Sequence, residues 1–392
     1  MLDAVILAVT VAVGAVLFLP RIARAELWRA TITPLASIIG SGFLVLGPIL
    51  NSRFGAWAPL AMLLLCAVAW SFGAAVRCNI AARNHATPTG PVALLESVSD
   101  WALAVCYIVS VAYYLGLFGA FGTRLAGAED PEHARLLTSA AFVVILILGF
   151  RRGFGALERL EALSVTMKLA IIAGLLAGLA VFTVERATAG ALVLNPVTLK
   201  PLETMTLLFG LVITVQGFEI SRYLGDAYDP SVRIRSMKLA QGLASAIYLI
   251  YVLLLAYVFP AGSLALDETA IIDLMQIVAP VLPTLLVLAA LAAQLSAAIA
   301  DTGGAGGLAK ELSGGRILAR SAYAVLVAVG LWLTWAADVF EIVAYASRAF
   351  AIYYALQCAI AALNSTGWRR AGFVALSGLG IAIALFGTAV EG

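Results

Sequence analysis

Glu219, Lys168 and Asp301 lie where an ionised side chain is expensive. Glu219 ends the apolar run Phe209-Gly210-Leu211-Val212-Ile213-Thr214-Val215-Gln216-Gly217-Phe218, Lys168 falls just inside another run, and Asp301 sits in Ala298-Ile299-Ala300-Asp301-Thr302. In hydrocarbon a carboxyl costs at least ~2.5 kcal/mol, so Glu219 must face a polar cavity, exchange a proton or pair with a cation; a neutral acid bonded to a backbone carbonyl is the alternative. Lys168 either gives up a proton when desolvated or snorkels to the interface. A second apolar run holds Ile39-Gly40-Ser41-Gly42-Phe43, in which two glycines, each costing ~1 kcal/mol in a helix, flank a serine. Unwinding there would free backbone N–H groups at a half-helix N-terminus, ready for an anion such as a carboxylate. A Gly-Ser packing notch is the alternative. The chemistry indicated is the binding and release of protons and small polar solutes, not bond making.

These residues must be positioned by membrane helices. Of the 392 residues 63% are hydrophobic and only 12% charged, with a mean hydropathy of +1.03, whereas a soluble protein is roughly 25% charged. A water-soluble globule is excluded, and with it the enzyme folds that live in water. Apolar runs punctuated by Gly, Pro and charge predict twelve spans, near 2–19, 33–50, 57–76, 92–122, 136–150, 162–183, 204–226, 237–259, 276–300, 319–336, 339–362 and 371–388. The connections are short, 184–203 and 260–275 being among the longest, so any site is expected inside the bundle. The first run, opening Met1-Leu2-Asp3, reads as a retained peripheral helix. With the N-terminus outside, eighteen of the 24 Lys and Arg fall at inner ends, which predicts both termini outside, in a bacterial inner membrane.

A net charge of +2 implies no nucleic acid, and scattered Cys66, Cys78, Cys106 and Cys358 imply neither disulfide nor zinc. His85 and His133 fall in different loops and are not metal candidates. The tract Gly303-Gly304-Ala305-Gly306-Gly307-Leu308-Ala309-Lys310 lacks the Gly-Lys-Ser/Thr ending of a phosphate loop, and helix termination or close packing, including the Gly303/Gly307 pair, explains it better.

The two expected breaks lie five spans apart, an odd offset that inverts topology. This is the pattern of inverted five-helix repeats whose discontinuous first helices meet at the bilayer midplane. Residues 1–32 are then a peripheral N-terminal helix and link, 33–183 the first repeat, 184–203 an outer connection, 204–362 the second repeat and 363–392 an accessory C-terminal helix.

These residues resemble the amino acid–polyamine–organocation (APC) transporter superfamily, an all-α polytopic class with the LeuT-type 5+5 fold and discontinuous core helices 1 and 6. Ile39-Gly40-Ser41-Gly42-Phe43 is similar to the break of core helix 1, Gly217-Phe218-Glu219 with Asp229-Pro230 and Arg233 to core helix 6 and its exit, and Gly153-Phe154-Gly155 through Glu161-Ala162-Leu163 to Met167-Lys168-Leu169 to the link into core helix 5. The resemblance implies a secondary transporter of amino acids or related amines, working by alternating access. It implies that Ser41, Gly42 and Phe43 hold the substrate carboxylate, and that Gln216, Gly217 and Phe218 receive its ammonium and side chain. Glu219 would be proton-responsive, and the Lys168 ammonium would take the place that sodium fills in sodium-coupled relatives. Asp301-Thr302 resembles the hydroxyl pair of that sodium site, with Asp in place of the first hydroxyl and Ala293-Gln294-Leu295-Ser296 a competing register; if Lys168 and Asp301 are neighbours they neutralise each other and favour protons, whereas if Lys168 snorkels away Asp301 with Ser296 or Thr302 could bind sodium. Proton coupling is favoured over Na+, and no cofactor or metal is expected.

Arg348 interrupts the eleventh span and is expected to pair with Glu219 or Glu341, or to serve an anionic substrate. Tyr107 and Tyr114 are expected on the cavity face of core helix 3, while Glu96, Asp100 and Arg222 read as solvated helix ends. The expected partners are a small amino acid or amine and the lipid bilayer. Alternatives of another class are a non-transporting sensor or channel on the same fold, or an integral membrane transferase, which would need a clustered acidic pair with metal-ligand spacing.

Overall fold

In a computed structural model the structure describes residues 1–40, 42–83, 89–128, 130–152, 158–198, 200–224, 227–261 and 267–389, with no side-chain environment given for 151, 152, 158–161 and 213. Ser41, His85, Gly153-Phe154-Gly155 and Asp226 lie outside the described residues. The helices are α1 (Leu2–Phe18), α2 (Pro20–Ala23), α3 (Glu26–Ile38), α4 (Gly42–Phe54), α5 (Ala58–Arg83), α6 (Gly90–Leu125), α7 (Pro131–Arg152), α8 (Glu158–Thr188), α9 (Pro201–Gly210), α10 (Pro230–Ala256), α11 (Ala270–Val278), α12 (Leu282–Leu312), α13 (Ala319–Ala336), α14 (Val339–Leu363) and α15 (Gly367–Phe386). Among the described residues all regular structure is helical.

Among the described residues each of the twelve apolar runs coincides with helix over at least part of its length. Nine stretches among the described residues are long and apolar enough to cross a membrane. The remaining runs are the 17-residue α1 and the two carrying breaks. In the first, α3 ends at Ile38 and α4 restarts at Gly42. In the second, α9 stops at Gly210 and the chain continues as short 3₁₀ turns over Val212–Val215 and Phe218–Tyr223. The connection between α10 and α12 holds a helix of its own, α11, most of which the apolar pattern left in the connection 260–275.

Around the breaks the core is built from α6, which packs along α12 and α14, and from α10, which packs on α3 and α5. Close approach is made by small residues, as expected where lipid gives no hydrophobic drive between helices. The glycine tract of α12 does not terminate it: the helix runs on to Leu312, Gly304 lies under Tyr107 and Gly306 under Tyr323, while Gly307 has no neighbour within 4 Å of an added Cβ. The peripheral α1 lies along α8, with Ile6 and Thr10 against Gly174 and Gly178.

The two breaks touch. A Cβ on Gly42 would stand 2.8 Å from Thr214 Cβ, and one on Gly217 would stand 2.5 Å from Ser37 Oγ and 2.7 Å from Ile38 N. Gly217 also has φ +117, a conformation closed to other residues without strain. Gly217→Ala is therefore expected to destabilise the protein by at least about 1–3 kcal/mol from the backbone alone, read as a lower apparent Tm in detergent. Gly242→Ala, at an exposed α10 position with no neighbour within 4 Å, should be neutral or stabilising by about 0.5–1 kcal/mol. Equal shifts for the two variants would contradict the contact between the breaks.

Candidate functional site

Interrupting a helix leaves its last carbonyls without intrahelical donors. Here side chains supply them. Lys168 of α8 is 2% exposed and its Nζ donates to Ala36 O at 3.0 Å and Ile39 O at 2.5 Å, so it does not snorkel and instead places a cation at the negative end of α3. Tyr248 of α10 donates to Ile38 O at 2.6 Å and also lies 3.1 Å from Thr214 O, spanning the two breaks. Beyond the first break, Pro48 cannot donate to Leu44 O, and the Tyr251 hydroxyl does so at 3.1 Å. Ser347 of α14 donates to Gly210 O, at the end of α9, at 2.6 Å.

Of the residues expected at the first break, Gly42 and Phe43 are buried against the second; the Phe43 ring lies 5.5 Å from that of Tyr248 and 4.5 Å from that of Tyr251. At the second break Phe218 stacks on Tyr354 at 5.2 Å. Glu219 is fully buried: its Oε2 accepts from Gly217 N at 3.0 Å and from Tyr354 OH at 2.8 Å, and its Oε1 has no hydrogen-bond partner. Gln216 Oε1 lies 3.4 Å from the same Tyr354 hydroxyl. Tyr114 faces the first break, where a Cβ on Gly40 would stand 3.1 Å from its ring, and Tyr107 packs over Gly304.

Asp301 is 1% exposed and accepts from the Ser110 hydroxyl of α6. Thr302 turns its hydroxyl back to Ala298 O at 2.6 Å, whereas Ser296 Oγ and both amide atoms of Gln294 are buried without a hydrogen-bond partner.

Other expectations are corrected. Arg348 is exposed on α14 and its Nε donates to Ala384 O at 2.7 Å, near the end of α15. It serves as a cation at a helix C-terminus and makes no ion pair with Glu219 or Glu341. Glu341 closes the capping box of α14 with Asp338 instead. Nor are Glu96, Asp100 and Arg222 solvated. Arg222, with a side chain 2% exposed, places Nη2 3.1 Å from Glu96 and 3.9 Å from Asp100, and Nη1 2.5 Å from Gln357 Oε1. Arg83 lies 3.6 Å from Glu96, Tyr223 donates to Asp100 at 2.8 Å, Asn79 donates to Gln357, and Gln357 donates to Ser99. One network thus ties the exit of the second break to α5, α6 and α14. The i, i+4 spacing of Glu96 and Asp100 was the only signal of it in the sequence.

Two cavities open at different places along α6. The one at the arginine-rich end is about 650 Å³, reaches Tyr107 and Ile220, and is lined by Asn79, Arg83, Arg222 and Arg233. The other, about 410 Å³, lies at the opposite half of α6 and carries Asp130, Asp267, Glu268 and Asp338 beside Arg124 and Arg135. There burial raises the Glu268 carboxyl above its usual range, and Asp267 and Asp338 add to the effect.

Removing Arg222 would leave buried Glu96 with only the longer Arg83 contact and buried Asp100 with only the Tyr223 hydroxyl. Arg222→Gln should cost about 3–5 kcal/mol in unfolding midpoints, and adding Glu96→Gln should recover part of the loss, whereas additive losses would contradict the pairing. Comparison with known proteins agrees with the architecture. A chain of Aquifex aeolicus (strain VF5) described as an uncharacterized protein is 39% identical over 384 residues, 95% of this chain and 93% of that one. Two mutants of the Eremococcus coleocola manganese transporter, one histidine-to-alanine and one glutamate-to-glutamine, share the fold with TM-scores of 0.59 and 0.60, at 13% and 12% identity over 92% of this chain and 86% of theirs. Residues 20–387 match the family described as "APC superfamily transporter", and the chain, a membrane transporter and not an enzyme, belongs to that superfamily.

Proposed function

We propose that the protein is a secondary active transporter of amino acids or related small amines, working by alternating access and coupled to protons. The observation that carries the reading is the direct contact of the two helix breaks, Gly42 on Thr214 and Gly217 on Ser37 and Ile38, beside buried Lys168 and Glu219. In this reading 33–183 and 204–362 form a LeuT-type inverted repeat, and the arginine-rich end is cytoplasmic, with both termini outside the inner membrane. The first-turn N–H groups of α4 receive a solute carboxylate, with Ser41 adding to them. Gln216, Gly217 and Phe218 receive the amine end, and Tyr107 and Tyr114 close the side formed by α6. Alternating access requires a solute path to each membrane face, and the cavity that reaches Tyr107 and Ile220 would supply one beside the second break.

Protons are preferred to sodium for a physical reason. The Lys168 ammonium occupies the Ala36 and Ile39 carbonyls that a cation would otherwise use, and Thr302 spends its hydroxyl on Ala298 O. Asp301 with Ser296 then acts with Lys168 and Glu219 in proton exchange and not as an oxygen cage for sodium. Manganese is not proposed, because among the described residues no three His, Cys, Asp or Glu side chains converge.

Uptake of amino acids and amines into proteoliposomes under an imposed pH gradient tests the reading. Lys168→Ala and Glu219→Gln should each lower driven uptake by about tenfold or more, as loss of a positioned proton carrier does. Replacing sodium by choline at fixed pH should leave uptake unchanged. Full driven uptake in both variants, or uptake abolished by choline, would contradict proton coupling through these residues.

A further inference from the structure

Arginine dominates the charged lining of the cavity at the arginine-rich end. Its lining includes Arg83, Arg222 and Arg233, and one acidic residue, Glu311. The carboxylates of Glu96 and Asp100 stand behind it, engaged by Arg222. Each guanidinium is also only partly used. Arg222 gives Nη1 to Gln357 and holds Nη2 in ion-pair range of Glu96 and Asp100 without a hydrogen bond to either, and Arg233 gives Nη1 to the Arg222 carbonyl at 2.7 Å. The Nε–H of both is buried without an acceptor, and Asn79 Oδ1 and the neighbouring Ser221 Oγ are buried without any hydrogen-bond partner.

Unpartnered guanidinium N–H groups on two residues that line one cavity suit a planar or tetrahedral oxyanion, which accepts from guanidinium edges. We propose that this cavity is an oxyanion site, separate from the helix breaks, in which Arg222 and Arg233 hold a carboxylate or phosphate group and Arg83 adds its charge at the rim. The cavity touches Tyr107 on one side and Ile220, next to Glu219, on the other. A carboxylate moving from the breaks toward the arginine-rich end would meet it first. The same chemistry suits a free anion entering from water at that end. The site deepens the transport reading but does not depend on it.

Calorimetric titration of the full-length protein in detergent, at constant ionic strength, tests the site with acetate, inorganic phosphate and alanine. Saturable binding of acetate or phosphate is expected, weakened about tenfold or more in Arg233→Gln and in Arg222→Lys, which keeps charge but loses the fork. It should be unchanged in Gly242→Ala. Alanine binding with the same dependence on Arg233 identifies a solute carboxylate as the occupant; acetate or phosphate binding without alanine identifies a free anion. No saturable binding of any of the three, affinity that survives both arginine substitutions, or affinity lost equally in Gly242→Ala overturns the proposal. Intact anion binding with no driven uptake in liposomes would sink the transport reading and leave this site standing.

Discussion

A helix interrupted inside hydrocarbon must find partners for the peptide groups it releases, because lipid offers none. In this protein the partners are side chains from other helices: Lys168 and Tyr248 for the end of α3, Tyr251 for the carbonyl that Pro48 cannot serve, Ser347 for the end of α9, and Glu219 for the amide of Gly217. Every other feature of the centre follows from that constraint. The breaks are brought together because one hydroxyl, that of Tyr248, reaches carbonyls of both, and because glycine at 42 and 217 leaves nothing between them.

Helix α6 acts as the spine against which the breaks are held. Its first half carries Glu96, Ser99 and Asp100 into the arginine network, its middle presents Tyr107, Ser110 and Tyr114 to α12 and the first break, and its last turns line the opposite cavity. The segment Phe218–Tyr223 is fastened at its far end by Arg222, so the second break is held from both sides: by Ser347 and Tyr248 before it and by the arginine network after it. Any movement of that segment must exchange the partners of a buried arginine, which makes the network a natural resistance to opening at that end.

Much of the fold could be read in the sequence because hydrocarbon imposes length and polarity rules that a single chain displays. Gly-rich interruptions and the ionisable residues Glu219, Lys168 and Asp301 stood out against those rules, and the structure buries all three beside the breaks. What remained hidden depended on pairing across helices. Glu96 and Asp100 are a turn apart near a helix start and look solvated until Arg222, more than a hundred residues later, is seen to fold back on them. Arg348 looks like half of an ion pair because a sequence shows charge but not the free carbonyl of Ala384 that it serves. The glycine tract of α12 suggested a helix end, whereas bulky Tyr107 and Tyr323 on neighbouring helices explain two of its glycines. Tyr248 and Tyr354 carry no sequence signal beyond being aromatic, and their hydroxyls turn out to tie the centre together.

Amide hydrogen exchange on the purified protein in detergent reads the central claim at its source, since protection reports intrahelical bonding directly. Amides at Gly40, Gly42, Phe43 and Gln216 should exchange far sooner than those of α5 and α6 at similar depth, and should slow when a transported solute is added. Protection at these positions equal to that of the continuous helices would mean that neither helix is broken, and would contradict the account.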